Sequence, residues 1–225
     1  MQVTRDQVHD AIDQAIPRIA CRLPRDVYAA ISKARRSDKS PRGAHVLDDL
    51  LANAALAASD GVPICQDTGT VWVCLEIGPD VTVSGDVLSE VNSAVAHAYE
   101  EARLRRSVVR DAAFNRTNTG DNTPAFCEIR TVEEQGCAKL HIMLKGGGSD
   151  NASKVEMLVP GAGHAGIIDT VLKRVREKAA NACAPLVVGV GIGATFDKVA
   201  GLAKHALMRP VGERAATSDA SLLER

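Results

Sequence analysis

Apolar positions recur at helical spacing through the first 60 residues: Val8, Ile12 and Ile16 share one face, and Val46, Leu47, Leu50, Leu51, Ala54 and Leu56 repeat with the same period. Between these stretches, residues 35–43 are rich in Ser, Lys and Arg with one proline, and read as a solvated connector. Asp60-Gly61 marks a turn, and residues 71–77 read as a strand. A helix over 88–104 sets Val91, Ala94, Val95 and Ala98 on one face and ends among Arg103 and Arg105, cations that suit a helix C-terminus. Strands at 125–130 and 139–144, a helix at 165–180, a Val-rich strand at 186–190 and a helix at 195–208 complete the pattern. This order predicts an α/β fold, a helical N-terminal portion packed on a mixed β-sheet. Residues 1–225 are expected to form one domain; after Arg209-Pro210 the apolar period is lost, and 210–225 read as a flexible tail.

Composition narrows the function classes. With 45% hydrophobic residues in 225, the chain can bury a sizeable core. Its 27 basic and 28 acidic residues are mixed along the sequence, so there is no basic stripe for a phosphate backbone, and nucleic acid is not expected as a partner. Aromatic content of 3% leaves few platforms for stacking bases and points to small polar ligands. The polar, charged start lacks a secretory pattern, and the most apolar run, residues 186–194, is far short of the roughly 20 residues of a membrane helix. Six cysteines without a Cys-x-x-Cys pair suit a reducing cytoplasm and one or two functional thiols, not a zinc finger.

Chemistry concentrates in three polar, glycine-rich segments: Cys65-Gln66-Asp67-Thr68-Gly69, Thr117 to Pro124, and Lys145-Gly146-Gly147-Gly148-Ser149-Asp150-Asn151. Amide, hydroxyl and backbone N–H donors can bind carboxylates without burying many charges, and glycine lets backbone approach a ligand. Cys65, at a loop mouth, and Cys183, between a helix and an apolar run, read as loop thiols of the kind that hold iron-sulfur clusters. Cys74, Cys127 and Cys21 read as core packing, and Cys137, in a Gln-Gly-Cys turn, as an exposed thiol. The glycines of residues 189–194 suggest a dinucleotide loop, but too little chain follows for the βαβ unit it needs, so close strand-to-helix packing is the preferred account. His97, His141, His164 and His205 form no metal-ligand motif.

Taken together, CQDTG, LRRS, TNTGDNTPA, KGGGSDN and AC-x-P, followed by LVVGVGIGATFDKVAGLAKHALMRPVGER, resemble the α subunit, or N-terminal part, of class I iron-sulfur fumarate hydratases and L(+)-tartrate dehydratases, over about residues 10–214. The resemblance implies reversible hydration of fumarate to L-malate with a 4Fe-4S cluster on three cysteines. Cys65 and Cys183 match two of those ligands. Gln66, Asp67, Arg105 and Gly148 match substrate-binding positions, with Arg106 one step from the arginine assignment. The catalytic base is expected in a β subunit or C-terminal β domain, and a dimer of αβ units is implied. Two departures stand out: Ala184 replaces the usual proline after the cysteine, and no remaining cysteine takes the place of the third ligand, downstream of Gly212-Glu213-Arg214. The chain is therefore expected to be truncated at its C-terminus and inactive in isolation. The alternatives are an L(+)-tartrate dehydratase α subunit and, in another class, a non-catalytic scaffold domain without a cluster.

Overall fold

The computed structural model describes residues 1–183, 185–215 and 217–224. In chain order the elements are β1 (Gln2–Val3), α1 (Arg5–Cys21), α2 (Arg25–Ser37), α3 (Pro41–Asp60), β2 (Thr70–Ile77), β3 (Thr82–Val83), α4 (Val91–Glu101), β4 (Phe126–Thr131), β5 (Ala138–Lys145), α5 (Gly147–Asn151), α6 (Gly163–Lys178), α7 (Phe196–Ala206) and α8 (Ser218–Leu223). They group into two compact units, one of Met1–Pro24 with Asp48–Gly147, the other of Arg25–Leu47 with Gly148–Arg225.

The first unit holds the main core. Thr4 starts α1 through a reciprocal cap: its Oγ1 accepts from Gln7 N at 3.3 Å, and Gln7 Oε1 accepts from Thr4 N at 2.9 Å. Val8, Ile12, Ile16 and Ala20 then bury one stripe of the helix, while Val91, Ala94, Val95, Ala98 and Tyr99 do the same for α4. Both stripes pack with Val71, Val73 and Leu75 of β2. β2 is the middle of a β4-β2-β5 sheet, parallel to β4 and antiparallel to β5. As a central strand it is buried on both faces, and its sequence accordingly runs Val-Trp-Val-Cys-Leu without the alternation of a half-exposed strand. The parallel β2–β4 pair needs a crossover, and α4 lies within it. The expected α/β fold, with N-terminal helix packed on a mixed sheet, is the fold observed.

Several expectations change at the level of elements. The connector expected over 35–43 shrinks to three residues, because α2 runs to Ser37 and α3 begins at Pro41. Along α3 the buried residues are Ala54 and Ala57, whereas Val46 and Leu56 are 50% and 57% exposed. No strand forms at 186–190 among the described residues; Val187 and Val188 are exposed. Among the described residues no neighbouring strand offers that run a hydrogen-bond ladder, and its glycines lie against α7 instead: a Cβ on Gly189 would meet the Ala203 carbonyl oxygen at 2.2 Å, and one on Gly191 the Val199 carbonyl oxygen at 2.5 Å. Close packing on a helix is thus what this glycine pattern serves.

Within the second unit, Arg174 of α6 gathers the end of α5, donating to the carbonyls of Ala152, Asn151 and Ser153 at 2.7, 3.3 and 3.2 Å. In the stretch read as a tail, Thr217 caps α8 by accepting from Ala220 N, and Arg209 pairs with Glu224 at 2.9 Å. Ala216 and Arg225 of that stretch lie outside the described residues. No helix among the described residues is long and apolar enough to cross a membrane.

Candidate functional site

Cys65, Gln66 and Asp67 lie on the loop between α3 and β2, and Arg105 lies on the loop after α4. Gly69 closes the first loop. Its φ is 64°, and a Cβ there would lie 2.2 Å from the Lys145 carbonyl oxygen, so the motif's glycine is needed for both its conformation and the approach of β5. Tyr99, fully buried on α4, donates from its hydroxyl to the Thr68 carbonyl at 2.9 Å, and Thr68 Oγ1 donates to the Arg105 carbonyl at 2.5 Å. Helix α4 therefore holds both loops in place.

The side chains of this cluster are largely exposed, and their polar atoms converge. Arg105 Nη1 is 3.6 Å from Asp67 Oδ1, an oxygen that also accepts from Gly69 N at 3.2 Å. Asp67 Oδ2 accepts from Gly147 N at 3.0 Å. The Asp67 N–H donates to Cys65 Sγ at 3.4 Å, and the thiol reaches Gln66 Oε1 at the same distance. A cavity of about 140 Å³ opens beside them, lined by Ile19, Ala20, Ile64, Cys65, Asp67, Thr68 and Leu144. It is well below the roughly 300–1,000 Å³ of drug-sized ligand pockets and suits a small molecule. Of the adjacent arginines it is Arg105 that joins Asp67, while the Arg106 carbonyl accepts from Asn118 Nδ2 at 2.9 Å.

The two other glycine-rich segments are less open than their sequences suggest. In the Thr117–Pro124 segment, Asn118 Oδ1 accepts from Gly120 N at 2.8 Å, and Asp121 Oδ1 accepts from both the amide and the hydroxyl of Thr123, at 3.0 and 2.8 Å. These donors and acceptors are used in folding the loop. Residues 147–151 form α5 where an open backbone nest was expected. At Gly148 a Cβ would lie 2.7 Å from the Asn181 carbonyl oxygen, a packing reason for glycine at a position read as a substrate contact.

Gly148 and Cys183 belong to the second unit, Cys65, Gln66, Asp67 and Arg105 to the first. Cys183 is exposed, at a φ of 56°; Ala184 after it lies outside the described residues. Cys74 is buried, as expected, and burial together with the neighbouring Glu128 carboxylate pushes its thiol up to about 12. Two other cysteines correct their readings. Cys127 is exposed on β4, which lies at the edge of its sheet, and Cys137 is only 5% exposed. Gly78 N donates to the Cys137 carbonyl at 2.8 Å, closing the β2–β5 end tightly over that thiol.

Sequence reasoning missed the buried hydroxyl of Tyr99. Its signal was present, since Tyr99 lies four residues after Val95 on the apolar face of α4, where a phenol needs an acceptor.

The loops thus bring a thiol, a carboxylate and a guanidinium together, and Cys65 and Asp67 of this cluster line the small cavity. Comparison with known proteins gives the family of the chain. Residues 9–225 match the family described as Fumarate hydratase (Fumerase), and the chain belongs to that family of hydro-lyases. Among curated relatives, it is 34% identical over 225 residues to the putative L(+)-tartrate dehydratase subunit alpha of Methanocaldococcus jannaschii, an alignment covering 97% of this chain and 78% of the relative. It is 29% identical over 209 residues to the L(+)-tartrate dehydratase subunit alpha of Escherichia coli strain K12, covering 92% and 68%.

Proposed function

We propose that this chain is the α-type subunit of an iron-sulfur hydro-lyase that interconverts fumarate and L-malate, completed by a β-type partner that brings the catalytic base. The observation that carries the reading is the meeting of Arg105 with Asp67 beside the exposed Cys65, next to a cavity of about 140 Å³ that Cys65 and Asp67 line. Arg105 supplies a forked donor for one carboxylate of the substrate. The Gln66 amide adds a neutral donor. Asp67, with both oxygens already taking N–H groups, orients Arg105 and draws Gly147 toward the same loop.

A 4Fe-4S cluster fits the donor chemistry of Cys65: its exposed sulfur accepts a backbone N–H, the kind of contact that supports a ligating thiolate. Cys183, exposed on a loop, is the second ligand in this reading. Cys74 is buried within the central strand β2 and, unlike Cys65 and Cys183, is not a loop thiol. When bound, the cluster supplies a Lewis acid that polarises the substrate hydroxyl. The chain's own residues fix the carboxylate end and hold the substrate in one orientation.

A second reading, L(+)-tartrate dehydration, is favoured by the names of the two relatives. Tartrate carries one more hydroxyl on the same dicarboxylate frame, so the two substrates compete for one site. The test is anaerobic reconstitution of the chain with its β-type partner, then iron and sulfide analysis and kcat/KM for L-malate and L(+)-tartrate in parallel. The higher kcat/KM decides the substrate. Loss of iron in C65A and C183A supports the ligand assignment. Stoichiometric iron without turnover of either substrate rejects the reading, and absence of both iron and turnover supports a non-catalytic scaffold.

A further inference from the structure

Asn122 is fully buried, 0% exposed, at a left-handed φ of 63°. Its side chain spans two backbones: Oδ1 accepts from Ser107 N at 2.7 Å, and Nδ2 donates to the Gly69 carbonyl at 3.0 Å. A buried amide costs free energy unless both ends are paired, and here both are. Gly69 follows Asp67 by two residues, Ser107 follows Arg105 by two, and Asp67 and Arg105 meet at 3.6 Å. The side chain therefore bridges the two loops two residues away from each partner of that ion pair. Asparagine suits the task because one short planar group offers an acceptor and a donor together.

We infer that Asn122 is a positioning residue that sets the separation of Asp67 and Arg105, and through it the affinity of the site for a four-carbon dicarboxylate. This rests on the dicarboxylate reading above. Two other links join the same elements, Thr68 Oγ1 to the Arg105 carbonyl and the Tyr99 hydroxyl to the Thr68 carbonyl. They keep the loops together when Asn122 is replaced, so its removal shifts the ion pair without unfolding the unit.

Asn122→Gly keeps the backbone conformation and removes both bonds. In the enzyme assembled with its β-type partner, displacement of the Asp67–Arg105 pair is expected to raise KM for L-malate about ten-fold, equivalent to about 1.4 kcal/mol, with a smaller change in kcat. Hydrogen exchange should quicken at the Ser107 amide and around Gly69, and stay unchanged along β5. Asn122→Asp supplies a second, chemical readout. Its ionised carboxylate sets an acceptor against the Gly69 carbonyl, whereas the protonated acid again donates there, so KM of N122D should fall toward the wild-type value as pH is lowered. Asp67, Arg105 and Asp121 are common to both variants, so a recovery seen in N122D and absent in N122G belongs to position 122. An unchanged KM in N122G overturns the role while leaving the proposed function intact, and so does a raised KM without faster exchange at Ser107. Lack of turnover of either dicarboxylate by the wild-type assembly overturns the proposed function and this role with it; the exchange data then report only a clamp in the fold.

Discussion

Replacing Gly69 by alanine tests whether the cysteine motif's glycine is there for backbone reasons. Two costs add. The φ of 64° is left-handed, which costs an L-residue about 1–2 kcal/mol. The new Cβ would also meet the Lys145 carbonyl oxygen at 2.2 Å, its carbon at 2.3 Å and Gly146 N at 2.6 Å, all of them backbone atoms that cannot rotate away. Forcing such a contact in a packed region costs a further ~1–3 kcal/mol. The sum, about 2–5 kcal/mol, is a large part of a typical domain's stability of roughly 5–15 kcal/mol. Gly61 is the matched control. It ends α3 at a φ of 67°, with Val62 N donating back to the Ala57 carbonyl at 3.2 Å, and a Cβ there meets nothing within 4 Å. G61A should therefore lose only the conformational part, about 1–2 kcal/mol. Urea unfolding of both variants against wild type gives the comparison through the midpoint at constant m. Equal losses in G69A and G61A would refute the argument, because they would mean that the approach of β5 to the loop carries no weight.

Two further outcomes follow from buried polar contacts. Y99F removes the hydroxyl bonded to the Thr68 carbonyl at 2.9 Å and should cost about 1–2 kcal/mol in urea unfolding; wild-type stability in this variant would assign that bond no role. The Glu76 carboxyl lies 2.6 Å from Arg130 Nη1 and 3.0 Å from His141 Nε2. Burial works to raise its pKa, but the hydrogen bonds and charges of His141 and Arg130 outweigh it, and the carboxyl is held below its ordinary value. A lowered folded-state value means that this group's stabilisation is fully present above its unfolded value of about 4.3 and is lost as pH falls through the folded value. The urea midpoint of wild type should thus fall more steeply than that of E76Q on acidification below about pH 4.3; superimposable profiles would exclude Glu76 as the source.

Where a segment's structure depends on its own side chains, the sequence was enough. The period of Val8, Ile12 and Ile16 and that of Val91, Ala94, Val95 and Ala98 mark helical faces, and those faces are buried. The unbroken apolar run of β2 marks a strand, because a central strand is covered on both sides. Gln66 and Asp67 were legible as candidate ligands because no packing role suits such residues in a glycine-rich loop, whereas Arg105 was legible only through the family resemblance of LRRS. The run at 186–190 was misread because its residue types are those of a strand, yet a strand requires a partner that local sequence cannot supply.

The sequence by itself thus determined the family, the helical faces, the central strand and the residue types gathered at the loops, since each of these is written in local composition and period. Only the tertiary structure decided how the polar atoms of those loops are used. It selected Arg105 over Arg106 as the partner of Asp67 and assigned Gly69 to the approach of β5. It also turned the donors of the Thr117–Pro124 segment inward and buried Asn122 between two backbones. A hydrogen-bonding group looks the same in sequence whether it meets a ligand, water or a distant carbonyl; which it meets depends on contacts between residues far apart in the chain.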